Sequence, residues 1–117
     1  MNNTEEIKKE IEKLKNSDNI IMVEGIKDKR ALNHLGLKNI VTLSRKPIFS
    51  IIEELSKKNK KITILTDFDK KGKELYGKLN SGLQKLGVKV DNHFREFLQK
   101  NTRVSHIEGL VSYLNKI

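Results

Sequence analysis

The 117 residues suffice for one hydrophobic core and hardly two, and although only 36% are apolar against 33% charged, the apolar ones gather in short periodic runs, unlike those of a disordered chain. No apolar stretch nears the roughly 18 to 20 residues that span a bilayer, and the N-terminal segment is charged and amphipathic, unlike a signal peptide, so a cytoplasmic protein with no membrane partner is expected. The absence of cysteine excludes disulfides and thiolate metal sites, while 24 Lys and Arg against 15 Asp and Glu give a net +9 that concentrates polyanions; nucleic acid is the leading partner, but charge alone does not decide between it and a surface made basic for solubility.

Residues 3–16 carry Ile7, Ile11 and Leu14 at helical spacing, with Asn3 and Glu6 in capping-box positions, Glu5 in the first turn and Lys13 and Lys15 in the last. Ile20-Ile21-Met22-Val23 follows as a continuous apolar run ending in Glu24-Gly25, the pattern of a strand buried on both faces. A short helix from about Lys27 to Leu35 is closed by Gly36. The alternation repeats. Ile40-Val41-Thr42-Leu43 reads as a strand, Ser44-Arg45-Lys46 as a loop, and Pro47 opens a helix with Ile48, Ile51, Ile52 and Leu55 on one stripe.

Ile62-Thr63-Ile64-Leu65 makes a third strand, Thr66-Asp67-Phe68-Asp69 a loop, and Leu75, Leu79, Leu83 and Leu86 the stripe of a helix stopped by Gly87. Val88 to Val90 reads as a short fourth strand. Ser105 to Ile117 reads as a last helix with Ile107, Leu110, Val111 and Leu114 inward, opened by a capping box of Ser105 and Glu108. Strands separated by helices of this length require crossovers, so the expected architecture is α/β and Rossmann-like. It has a mostly parallel four-stranded sheet with helices on both faces. No linker, low-complexity tract or repeat divides the chain, so 1–117 is expected to be one domain, with its core at about 20–95.

Ligands of open parallel sheets bind beyond the carboxyl ends of the strands. The residues placed there are Glu24, Gly25 and Asp28 after the first strand, Arg45 and Lys46 after the second, and Asp67 and Asp69 after the third. Asp91, Asn92, His93 and Arg95 follow the fourth. Carboxylates gathered on one edge repel one another, and a divalent cation preferring oxygen is the simplest relief. Structural readings stand beside this one. Asp67 and Asp69 suit a helix N-cap, Glu24 could pair with Lys27 or Arg30, Asp28 suits capping better than metal binding, and Gly25 and Gly72 suit turns with positive φ.

The segment Ile21-Met22-Val23-Glu24-Gly25-Ile26-Lys27-Asp28 resembles the first motif of the Toprim family, a hydrophobic strand ending in Glu-Gly with Asp three residues on. Ile64-Leu65-Thr66-Asp67-Phe68-Asp69-Lys70-Lys71-Gly72 resembles the second, a strand followed by Thr-Asp-x-Asp-x-x-Gly. The resemblance covers about residues 20–95 and implies the Toprim fold of topoisomerases, bacterial-type primases, some nucleases and a ribosomal RNA maturase. Small stand-alone Toprim proteins and that maturase are the most similar members. By resemblance, Glu24 is a general acid or base that can share a metal, and Asp67 and Asp69 hold Mg2+ or Mn2+. Lys70-Lys71 departs from the Arg-Glu of many topoisomerases, and Tyr76 and Tyr113 fall within helices, so topoisomerase action is not expected.

Lys70, Lys71 and Lys73, with Arg45, Lys46 and Arg95, are expected to meet phosphates flanking the reacting one. His93 is a possible accessory beside Asp28. His34, His93 and His106 are too scattered for a zinc pattern, and Lys57, Lys58, Lys60 and Lys61 form a solvated face at the amino edge. Few aromatic residues mean sparse stacking platforms. The leading expectation is a magnesium-dependent Toprim nuclease acting on structured RNA, with RNA favoured over DNA by resemblance alone. The alternative is a non-catalytic Toprim module that binds nucleic acid within a ribonucleoprotein or DNA-repair assembly.

Overall fold

The computed structural model describes residues 3–115 and the side chains of 4–114. The cap expected at Asn3, and Lys116 and Ile117 of the expected last helix, lie outside what is described. Three apolar runs become strands: β1 (Ile20–Val23), β2 (Ile40–Thr42) and β3 (Ile62–Ile64). They form a parallel sheet of order β2-β1-β3, with Ile21 opposite Ile40 and Ile20 opposite Ile62. β1 lies at the centre with all four residues buried, which is why its sequence is apolar without alternation.

Side chains of a strand point alternately to the two faces, so each face collects its own core. Ile21 and Val23 pack with Ile7, Ile11 and Leu14 of α1 (Asn3–Asn16), Leu32 of α2 (Ile26–His34) and three later residues, Phe94, Leu98 and Leu110. Ile20, Met22, Ile62 and Ile64 pack with Ile51, Ile52 and Leu55 of α3 (Ile48–Ser56) and Leu79 and Leu83 of α4 (Lys70–Lys85). Helices therefore cover both faces, and the chain crosses from one side of β1 to the other between β2 and β3.

The expected fourth strand is reduced to one parallel bridge between Val90 and Ile62. Asp91 ends it. Its N–H donates to the Ile62 carbonyl (2.8 Å), while its carboxylate accepts from Asn19 Nδ2 (3.0 Å) and from the His93 N–H (3.1 Å). These bonds turn the chain into α5 (His93–Asn101) level with the first residue of β3. Residues 91–93 consequently lie by Asn19, at the amino end of the sheet, not at the carboxyl edge where the sequence places them.

The last helix also starts later than its capping pattern suggests, as α6 (Gly109–Asn115). Residues 105–107 instead run along the loop after β3: the Phe68 N–H donates to the Ser105 carbonyl (2.7 Å) and the Ile107 N–H to Asp67 Oδ1 (2.8 Å). Ser105 Oγ lies 2.9 Å from His106 Nδ1.

A close approach sets how α4 leaves the sheet. A Cβ on Gly72 would run into the Asp67 carbonyl, and the Gly72 carbonyl accepts from Thr66 Oγ1 (2.7 Å). Positive φ among the described glycines is confined to Gly36 and Gly87, so Gly72 and Gly25 are not left-handed turn residues. Gly72 is required because helix and loop backbones touch. Replacing it with Ala is expected to destabilise the protein by roughly 3 kcal/mol, measured by urea unfolding. Gly25→Ala, with open space around its Cβ, should cost far less.

Candidate metal centre at the carboxyl edge

Glu24 leaves β1 and Asp67 follows β3 by two residues beyond Leu65, so adjacent strands carry both to one end of the sheet. They meet directly: Glu24 Oε2 accepts from the Asp67 N–H (2.8 Å). This bond, and not a pair with Lys27 or Arg30, is the recorded partner of Glu24. Asp67 Oδ1 accepts from the Ile107 N–H (2.8 Å), and Asp69 Oδ1 caps α4 by accepting from the Gly72 N–H (2.8 Å). The capping reading of Asp69 is thus correct, yet it occupies one oxygen. Asp69 Oδ2 faces His106 Nε2 at 3.4 Å.

Asp28 is only 8% exposed and caps α2, accepting from the Gly25 N–H through Oδ2 (3.1 Å). Its carboxyl is pushed above the ordinary carboxylate value first by burial. The Gly25 N–H opposes that rise, and the charges of Asp67, Glu108 and Glu24 add to it. The last three identify the neighbourhood: Asp28 belongs to the same acidic group at the edge.

Beneath the loop lies Arg95, whose expected contact with phosphates is corrected by its burial. The side chain comes from α5, is 5% exposed, and donates through Nη1 to the carbonyls of Thr66 (2.6 Å) and Ile64 (3.4 Å) and through Nη2 to that of Asp67 (3.2 Å). The rings of Phe68 and Tyr76 each lie 4.6 Å from its guanidinium carbon. Burial lowers its pKa, while Tyr76, Asp67 and Glu24 oppose that. It is a buried cation that organises the acids. His93, expected as an accessory, bonds Glu10 of α1 instead (Nε2–Oε2 2.8 Å) beside Asn19 and Asp91, because the fourth strand ends after one bridge.

The other expected cations are exposed side chains. Arg45 and Lys46 follow β2, Arg45 with φ of 60°, and Lys70, Lys71 and Lys73 form the first turn of α4. Lys46 reaches Glu54 only at 4.0 Å with both side chains exposed, a pair that holds neither firmly. Two depressions lie at the amino edge by Lys61 and Lys89. Another, of about 340 Å³, adjoins His106 and is lined also by Arg103 and Tyr113. Glu24 and Asp67 are half-buried, the Asp69 side chain is 43% exposed, and Asp28 is buried.

The donor set suits a divalent cation. Asp67, Asp69 and His106 each offer one ligand atom, all within 4.8 Å of one another. Opposite ligands of a magnesium-sized ion stand about 4.2 Å apart. Glu24 is not in this compact set, since its Oε2 is turned to the Asp67 backbone. His106 was not singled out by sequence because it lies 37 residues beyond Asp69 in a segment patterned as a helix start. Nothing local to it signals the contact.

The sheet order, the two edge motifs and the helices on both faces define a Toprim-like α/β fold with a candidate acidic metal site. Comparison with known proteins agrees. A solved Aquifex aeolicus protein superposes with a TM-score of 0.78 at 36% identity, covering 89% of this chain and 94% of its own. The Aquifex aeolicus primase, solved as its zinc-binding and RNA polymerase domains, matches with a TM-score of 0.54 at 26% identity, covering 91% of this chain and 27% of that one. No family model matches.

The chain belongs to the UPF0292 family. The UPF0292 protein of Methanocaldococcus jannaschii is 34% identical over 108 residues, 89% of this chain and 84% of its own. That of Pyrococcus abyssi is 40% identical over 106 residues, 90% of this chain and 79% of its own. Among the described residues no helix is long and apolar enough to cross a membrane.

Two outcomes test the frame of the site. Arg95→Met removes every donor to the three carbonyls and should cost roughly 3 kcal/mol in urea unfolding; Arg95→Lys should recover less than half, since an ammonium cannot span them from between two rings. For Asp28 the sign follows from its raised pKa. Its contribution to stability is complete below the ordinary value of 3.8 and is lost as pH rises through the raised folded value. Asp28→Asn keeps an oxygen for Gly25, so in chelator it should raise the melting temperature at pH 7, by progressively less toward pH 4.

Proposed function

We propose that the chain is a divalent-metal-dependent enzyme of nucleic-acid phosphodiesters, a Toprim nuclease whose substrate is structured RNA. The observation that carries this is the bond from the Asp67 N–H to Glu24 Oε2, which joins the ends of β1 and β3 so that three carboxylates share one edge. That edge is where the strand order reverses, the usual ligand position in doubly wound sheets. An acidic edge with the exposed cations Arg45 and Lys46 after β2 and Lys70, Lys71 and Lys73 in the first turn of α4 suits a polymer lying across it.

The similarity to the Aquifex primase supports nucleic-acid chemistry, and the Toprim motifs support the assignment of roles. A bound divalent cation would supply charge neutralisation at the phosphate. Asp67 and Asp69 hold their free oxygens toward that position because backbone N–H groups fix the others. Glu24 keeps Oε1 free to move a proton, and Lys70, Lys71 and Lys73 place the adjacent phosphates. Phe49, 70% exposed in the first turn of α3 beyond Arg45 and Lys46, offers a ring for an unpaired base, which favours RNA with a loop or end over a continuous duplex.

The test separates enzyme from binding module. Glu24→Gln retains an oxygen to accept from Asp67, so RNA binding should persist while metal-dependent cleavage falls by a factor on the order of 100. Asp67→Asn should reduce metal binding and cleavage together. Arg45, Lys70 and Lys71 changed singly to Ala should each lower the slope of log affinity against log salt by about 1. If the wild type cuts neither RNA nor DNA with Mg2+ or Mn2+ but binds RNA with that salt slope, the non-catalytic module replaces the nuclease.

A further inference from the structure

We infer that His106 is the third ligand of the Asp67–Asp69 site and makes it selective for a first-row transition dication over Mg2+. This rests on the reading of the two aspartates as metal ligands, and goes beyond it in naming the residue that sets which metal they hold.

The geometry is specific to the segment 105–107. Two bonds fasten it to the loop after β3: Phe68 N–H to the Ser105 carbonyl (2.7 Å) and Ile107 N–H to Asp67 Oδ1 (2.8 Å). Between them His106 is held with Nε2 3.4 Å from Asp69 Oδ2. Its other nitrogen, Nδ1, lies 2.9 Å from Ser105 Oγ. The direction of the Ser105 bond depends on the tautomer; when the hydroxyl accepts from Nδ1–H, the lone pair is on Nε2, the form that ligates, and an outer partner on the second nitrogen is the usual support of a metal-binding histidine. Asp67 and Asp69 each have one oxygen engaged by a backbone N–H and one remaining. The result is two oxygens and one nitrogen, all within 4.8 Å.

Donor chemistry then decides the cation. Mg2+ binds carboxylates, phosphates and water and dehydrates reluctantly. Imidazole favours iron, cobalt, nickel, copper and zinc ions, whose affinity for nitrogen exceeds that of magnesium by far more than their affinity for oxygen does. An all-carboxylate edge carries little such discrimination, and the imidazole of His106 adds it. His106 is 53% exposed at its side chain and contributes nothing to either core, so its replacement probes the site without unfolding the protein.

The experiment reads metal binding in the full chain without nucleic acid. Co2+ serves as the optical probe for nitrogen ligation, and Mg2+ is measured by its displacement of Co2+. The wild type should bind Co2+ with a d–d spectrum that changes on His106→Asn, and that variant should lose Co2+ affinity by a factor on the order of 10 to 100. Its Mg2+ affinity should change by less than about 3-fold on the same donor argument. Ser105→Ala, which frees the imidazole but keeps it, should weaken Co2+ less than His106→Asn does. Equal losses for Co2+ and Mg2+ in His106→Asn, or an unchanged spectrum and affinity, overturn the inference. If Asp67→Asn abolishes Co2+ binding while His106→Asn leaves it intact, the metal site stands and only the role of His106 falls. If the wild type binds neither cation, the metal site and this inference fall together.

Discussion

The guanidinium of Arg95 is the constraint on which the acidic edge depends. Where β3 ends, its backbone leaves the sheet before α4 begins, and carbonyls that no longer have a ladder partner must find donors inside the protein. Arg95 supplies them for Ile64, Thr66 and Asp67 from one planar group, held flat between Phe68 and Tyr76. A buried cation is costly on its own. Here the carbonyl dipoles, the two ring faces and the nearby charges of Asp67 and Glu24 compensate it. The same positive charge lets several carboxylates converge above it.

Topology completes the arrangement. β1 is paired on both sides, so Glu24 emerges beside the end of β3 without any long loop. Helices α2 and α3 lie on opposite faces, which opens a crevice at the β1–β3 junction as the strand order reverses. Gly72 then allows the first turn of α4 to close against the Asp67 carbonyl, and Asp69 reaches the same crevice from the N-cap. Glu24, Asp67 and Asp69 are adjacent because of strand pairing, glycine contact and cap geometry, all local to two motifs.

That locality explains what was legible in the sequence. β1, β2, β3 and the helices between them follow from apolar runs and stripes, because burial on one or both faces writes a period into the chain. The common edge of Glu24, Asp67 and Asp69 was legible because a strand end specifies an edge. The errors share a cause as well. Val88 to Val90 has the composition of a strand, but Asp91 bonds Asn19 and ends the pairing after one residue, so His93 falls on the wrong side. Arg95 looks like a surface cation, since its three carbonyls and two rings come from distant residues. Ser105-His106-Ile107-Glu108 has a helix-start pattern, but the Asp67 carboxylate takes the Ile107 N–H. Each error is a tertiary bond overriding a local preference.

The alternative readings of the acidic residues, structural cap or functional ligand, turn out not to exclude one another. Glu24 accepts from the Asp67 N–H, Asp28 from Gly25, Asp67 from Ile107 and Asp69 from Gly72. Each carboxylate gives one oxygen to a backbone N–H. This use of one oxygen fixes the direction of the other without relying on a flexible surface ion pair, and each N–H bond offsets part of the repulsion among the acids. A site built this way keeps its shape whether or not a cation is bound, because the backbone holds the ligands and the ligands hold the backbone. It also predisposes the edge to a cation, since the Arg95 charge acts on Asp67 and Glu24 while the Asp69 side chain is 43% exposed.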